Sequence, residues 1–197
     1  MSEQRIASPS VRVSGPERLA DLGVTADQLT RALLEGDRLA RRTSRHDPPI
    51  LEGLLRWAMS TRSLRDELVP LGWHFDNPRN LARTISPRHD TAIVVTTGDE
   101  GVGDPTRDPG TRHAKGSATE WAIIGGQLTF GGPSQDQPGL PFEELVPGPM
   151  QTWFLLFAVV GDQLRAELSL PRSYGDGRML SWRERIMLPQ LRRLPPG

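Results

Sequence analysis

Apolar positions recur at helical spacing through the first third of the chain and switch to period two after it. Leu29, Ala32, Leu33, Gly36 and Ala40 form one stripe, with Arg31, Glu35, Arg38 and Arg42 together on the opposite side. That spacing predicts a helix from Thr25, where Thr25 and Gln28 make a capping box, to about Arg42. A shorter helix is expected to open at a second capping box, Ser14 to Glu17 with Pro16 at its first position, and to stop at Gly23. Asp47 before Pro48 reads as the cap of a third helix, with a stripe of Ile50/Leu51, Leu54/Leu55 and Ala58 that resumes at Leu64 and Leu68 and ends near Pro70.

Leu81–Ser86 and Thr91–Thr97 then read as a hairpin, and Ala92 to Val95, apolar on both faces, as a covered inner strand. Trp153–Val160 is a second run apolar on both faces. Gly161-Asp162 is a two-residue turn. Leu164, Ala166, Leu168 and Leu170 alternate with Arg165, Glu167 and Ser169, which predicts a strand with one wet face. Leu180, Trp182, Ile186 and Leu188 alternate in the same way with Ser181, Arg183 and Arg185, completing a three-stranded meander. Residues 98–116 and 131–150 are too polar and too rich in Gly and Pro for either regular element. Between them, Ser117 to Glu120 is a third capping box, expected to open a helix through Trp121, Ile124 and Leu128.

The pattern defines an α+β fold: N-terminal helices packed on a mainly antiparallel sheet of four to five strands ending in the C-terminal meander. Residues 1–13, without periodicity, are expected to be a flexible arm on a single domain of residues 14–197, helical over 14–70 and mixed over 71–197. The length of 197 residues suits one domain with a full core. Zero cysteines exclude disulfides, thiolate metal sites and cysteine nucleophiles, and fit a reducing, cytoplasmic setting. Without an apolar leader or a membrane-length apolar run, a soluble protein with no membrane partner is expected. Equal numbers of basic and acidic side chains, 24 each, remove any bulk attraction to nucleic acid or lipid. A single lysine, Lys115, stands against 23 arginines, which reads as the coding bias of a high-GC, bacterial genome.

Enzyme signatures are sparse. The chain has no Walker phosphate loop, no G-x-S-x-G elbow and no H-E-x-x-H pair, and Gly101-Val-Gly103 lacks the rest of a dinucleotide fingerprint. The richest candidate chemistry is the acidic loop after the inner strand, with Asp99, Glu100 and Asp104, then His113 and Lys115. The loop also carries Asp108; its carboxylates, with Asp99, Glu100 and Asp104 as the candidate ligands, could hold Mg²⁺ or Mn²⁺, and Lys115 could neutralise charge in a hydrolytic transition state. The plain alternative is a solvated connector.

A second candidate is basic. Arg38, Arg41, Arg42, Arg45, Arg56, Arg62 and Arg65 face only Asp47 and Glu52 in sequence, a local excess that could meet phosphates, with Arg38, Arg41, Arg42 and Arg45 at its centre. The order Leu64–Leu68, Gly72-Trp73, Asn77–Ile85 and hairpin is also that of a winged helix-turn-helix, although Pro78 interrupts the would-be recognition helix. The bland reading is a solvated helix face laced by Arg–Glu pairs. His46-Asp47 and His89-Asp90 sit where cap or turn residues are expected. The five tryptophans read as core, Trp73 being the one expected to be exposed. The missing signatures favour a non-catalytic intracellular binding protein with a protein or nucleic-acid partner. The rival is a divalent-metal-dependent phosphodiester or phosphate hydrolase centred on residues 99–120.

Overall fold

A computed structural model of the chain describes residues 12–111, 150–175 and 178–193. Three helices, α1 (Arg18–Asp21), α2 (Ala26–Ala40) and α3 (Leu51–Leu68), pack on an eight-stranded mixed sheet. The strands are β1 (Arg12–Ser14), β2 (His74–Asp76), β3 (Arg83–Ile85), β4 (Thr91–Thr97), β5 (Gln151–Val160), β6 (Gln163–Gly175), β7 (Arg178–Met187) and β8 (Leu191–Arg192). Their order is β1-β7-β6-β5-β4-β3-β2, with β8 also paired to β6. The α+β class holds, but the sheet is larger than the four to five antiparallel strands expected, and it is mixed. β4 and β5 run parallel in register from Thr91↔Gln151 to Thr97↔Phe157, and β1 runs parallel to β7. The long connection between β4 and β5 permits the parallel pairing that a hairpin turn forbids.

Alternation along β5 divides the core. Trp153, Leu155 and Phe157 join Leu29, Leu33, Leu64 and Leu68 under the helices, whereas Phe154, Leu156 and Ala158 join Leu81, Val94, Val102 and Trp182 on the other face. The hairpins β3–β4 and β5–β6 form as the sequence predicts. So does the Thr25–Gln28 capping box, with the Gln28 amide donating to Thr25 Oγ1 and the Thr25 amide to Gln28 Oε1.

Several local expectations are corrected. Ser14 lies in β1 and donates to Glu184 Oε1 at 2.6 Å, so it caps no helix; Glu17 precedes α1 without a side-chain cap. Arg12 and Val13, placed in the arm by sequence, pair with Glu184 and Arg185. Asp47 accepts from the Ser44 amide and closes a turn there, leaving α3 uncapped by a side chain. Trp73 is 3 % exposed and belongs to the helix-side core. No recognition helix follows it, because only a short 3₁₀ turn, Pro78–Asn80, stands at that place. The face of β6 expected to be wet is dry: Glu167 and Ser169 are fully buried. In β7, a register shift opposite Leu170 and Pro171 places Trp182 and Ile186 on opposite faces, which strict alternation does not allow. Residues 117–128, with the helix predicted from the Ser117–Glu120 capping box, lie outside the described residues, as does the 131–149 stretch.

Candidate functional site

The acidic loop is built from its own carboxylates. Gly98 bridges Thr111, and the Asp99 amide donates to the Gly110 carbonyl at 3.0 Å. Asp99 Oδ1 accepts from the Gly101 amide and Oδ2 from the Gly110 amide, each at 2.9 Å. Asp104 Oδ1 accepts from the amide and hydroxyl of Thr106, at 2.8 and 2.6 Å, and these bonds hold its carboxyl below the usual aspartate range. Asp99 and Asp104 thus serve the turn geometry that Asp side chains commonly stabilise. Glu100 is exposed. Among the described residues no three His, Asp or Glu side chains converge as a metal cluster, so Asp99, Glu100 and Asp104 are not brought together. His113 and Lys115 lie outside the described residues.

Beneath this loop sits a buried ion pair that sequence alternation missed. Arg185 donates through Nη2 to Glu167 Oε2 at 2.6 Å and through Nε to Oε1 at 2.9 Å. It also donates to the carbonyls of Asp104 and Arg107. Glu167 accepts further from Ser169 Oγ and from the Gly103 amide, while Trp182 Nε1 donates to the Pro109 carbonyl. The Glu167 carboxylate, the Arg185 guanidinium and the Trp182 indole N–H each have partners within the loop or the sheet, as a buried pair requires. The constellation fastens the loop to the sheet.

The arginine-rich segment separates into two groups. Arg38 makes a two-pronged pair with Glu35, Arg62 pairs with Asp66, and Arg56 is buried against Asp37 with Glu52 as a second partner. Arg65 donates to the carbonyls of Asp76 and Arg83 and to Asn77, with its guanidinium 4.5 Å over the Phe75 ring. By contrast, Arg41, Arg42 and Arg45, at the end of α2 and just after it, make no ion pair among the described residues. The basic excess read from sequence therefore contracts to these three.

Their segment leads into an apolar cleft. The stripe predicted for α3 is rotated at its N-terminal end: Arg56, Ser60 and Thr61 face inward, while Ile50 is 75 % and Leu54 49 % exposed. Gly36 on α2 explains the rotation. A Cβ there would stand 2.7 Å from the Ser60 amide nitrogen and 2.8 Å from the Arg56 carbonyl oxygen, so the two helices meet backbone to backbone at this point. That contact buries Arg56 beside Asp37, at 2.8 Å, and turns Ile50 and Leu54 outward. Together with Pro49, Trp57, Phe157 and Val159 they line a cavity of about 580 Å³ between α3 and the C-terminal ends of β4 and β5. Trp57 Nε1 donates to the Val95 carbonyl at 3.1 Å, fixing the indole against the strand.

Glu52 and Arg56 close the cleft with a polar end. Burial alone would raise the Asp37 carboxyl pKa, but hydrogen bonds from Arg193 and Arg56 outweigh that and hold it below the usual range. The Pro48-Pro49 pair, which delays the start of α3, was the one sequence signal that Ile50 stands outside the regular packing.

Comparison of the chain with protein-family models, with curated proteins and with solved structures gives no match. Among the described residues no helix is long and apolar enough to cross a membrane.

Proposed function

We propose that this is a non-catalytic, cytoplasmic binding protein whose partner is another protein, engaged through an apolar segment with an acidic flank. The observation that carries the reading is the exposure of Ile50 and Leu54 on the lip of a cavity floored by Trp57 and Phe157. Apolar side chains gathered at a concave surface, with charges at its margin, are the usual form of a protein-recognition site. The acidic flank follows from Arg41, Arg42 and Arg45, which precede the lip in sequence and lack carboxylate partners of their own among the described residues. A protein partner is favoured over nucleic acid because four of the seven arginines are already engaged by Glu, Asp or carbonyl groups, while the cleft is apolar. The absence of cysteine supports the cytoplasmic setting.

Selection from a random peptide library tests this. Peptides enriched on the wild-type protein should carry two or more large apolar residues beside Asp or Glu, and should lose binding to Leu54→Arg. Enrichment of peptides that bind Leu54→Arg equally well, or tight salt-dependent binding of oligonucleotides by the wild type, would contradict it.

A further inference from the structure

The polar end of the cleft carries more base than acid once its buried and exposed members are separated. Asp37 on α2 is buried, and it accepts from Arg56 Nε at 2.8 Å and from Arg193 Nη2 at 3.0 Å. Two guanidiniums thus converge on one buried carboxylate, which leaves one positive charge over. Glu52 neutralises it from outside. It lies four residues before Arg56 on α3, its Oε1 accepts from Arg56 Nη2, and the same oxygen stands 3.8 Å from Arg193 Nη2. Arg56 Nη1 makes no hydrogen bond among the described residues.

The two acids are held with different firmness. Asp37 is fixed, because the close approach at Gly36 seats α2 on α3 and the Arg193 amide is itself bonded to the Asp162 carbonyl at 2.9 Å. Glu52 is half-exposed in the first turn of α3. An exposed pair at four-residue spacing adds little to stability, and an exposed side chain changes rotamer quickly. Glu52 can therefore leave Arg56 while the fold stays intact; Asp37 cannot. Glu52 and Arg56 line the same cleft as Leu54, Trp57 and Phe157.

We infer that Glu52 is an internal stand-in for a carboxylate of the partner: an Asp or Glu within the bound apolar segment displaces it and pairs with Arg56. The inference rests on the protein-binding reading above. It adds a carboxylate inside the cleft, separate from the flank that meets Arg41, Arg42 and Arg45. Charge complementarity sets the sign of the ligand. With Glu52 turned away, Arg56 and Arg193 face Asp37 alone, and the remaining positive charge matches a carboxylate and opposes an ammonium. The incoming carboxylate prevails because the apolar residues beside it exclude water from the new pair, and a drier pair attracts more strongly. Selectivity follows from the same competition. A segment without the acid leaves Glu52 in place and gains nothing from Arg56.

A peptide selected on the whole chain, resynthesised with each Asp or Glu changed in turn to Asn or Gln, supplies the test by fluorescence anisotropy. One of these changes should weaken binding to wild type about tenfold or more, through loss of a charge-assisted hydrogen bond. Glu52→Gln keeps the shape and removes the competing charge. It should bind the unchanged peptide about two- to fivefold more tightly, and the peptide neutralised at that one position no more tightly than wild type does. Its circular dichroism and urea midpoint should match those of wild type, because the carboxylate is half-exposed. If Glu52→Gln gave no tightening, or the same tightening for both peptides, the stand-in role would be overturned and peptide binding at the cleft would survive. If selection yielded no apolar peptide that loses binding to Leu54→Arg, both readings would fall together.

Discussion

The loop at 98–111 and the cleft beside α3 dispose of their side chains in opposite ways. In the loop, the groups that look most chemical are engaged by the fold itself: Asp99 and Asp104 close turns, and Glu167 with Arg185 tie the loop to the sheet. Around the cleft, Ile50 and Leu54 are exposed, and Arg41, Arg42 and Arg45 make no ion pair among the described residues. A cluster of polar residues therefore says little until its hydrogen bonds are traced, since a fully satisfied set is already explained by folding. Unsatisfied apolar exposure is the more informative signal here.

The sharpest way to break this contrast is to attack the loop's anchor. Arg185→Met leaves Glu167 charged, buried and unpaired, and should cost about 3–5 kcal/mol in urea unfolding, while adding Glu167→Gln should restore part of the loss. If the single variant were neutral, the loop would not be anchored as described. Gly36→Val should cost about 1–3 kcal/mol by forcing α2 from α3. Asp99→Ala should cost about 1–2 kcal/mol by freeing two loop amides.

Asp37 supplies a pH test of the cleft's polar end. Its folded pKa is depressed by Arg193 and Arg56 against the opposing effect of burial, so its stabilisation is complete above the unfolded value of about 3.9 and is lost as pH falls through the lower folded value. Wild type should lose stability in that acid window, and Asp37→Asn should lose the same component of the pH dependence.

On the cleft side the expected stability effects are the smallest. Ile50→Arg with Leu54→Arg should change stability by no more than about 0.5 kcal/mol while removing peptide binding. Mg²⁺ or Mn²⁺ should leave the melting temperature flat; a rise that vanishes in Asp99→Asn with Glu100→Gln would restore the metal reading of the loop.

Much of the fold was legible because period and turn chemistry are local. The α2 stripe, the Thr25 box and the β5–β6 turn at Gly161-Asp162 were all readable in this way. What escaped depends on tertiary partners. Glu167 and Ser169 alternate like solvent-facing residues, and only the distant loop makes them dry. The phase of α3 is set by Gly36 meeting Ser60, a contact between helices that periodicity within α3 cannot reveal. Parallel pairing of β4 with β5 was equally hidden, because two strands apolar on both faces carry no mark of direction. For the candidate site, the arginines were visible as a group, but the split between paired and free members required the ion pairs. Ile50 and Leu54 were read as core.

The absence of cysteine allows the most direct comparison of the two regions. Leu54→Cys and Glu100→Cys each introduce a single thiol, one on the cleft lip and one on the acidic loop, for an environment-sensitive dye. Titration with a selected apolar, acidic-flanked peptide should shift the dye at position 54 to the blue and leave the dye at position 100 unchanged. A response at position 100 with none at position 54 would contradict the assignment of the cleft as the binding site.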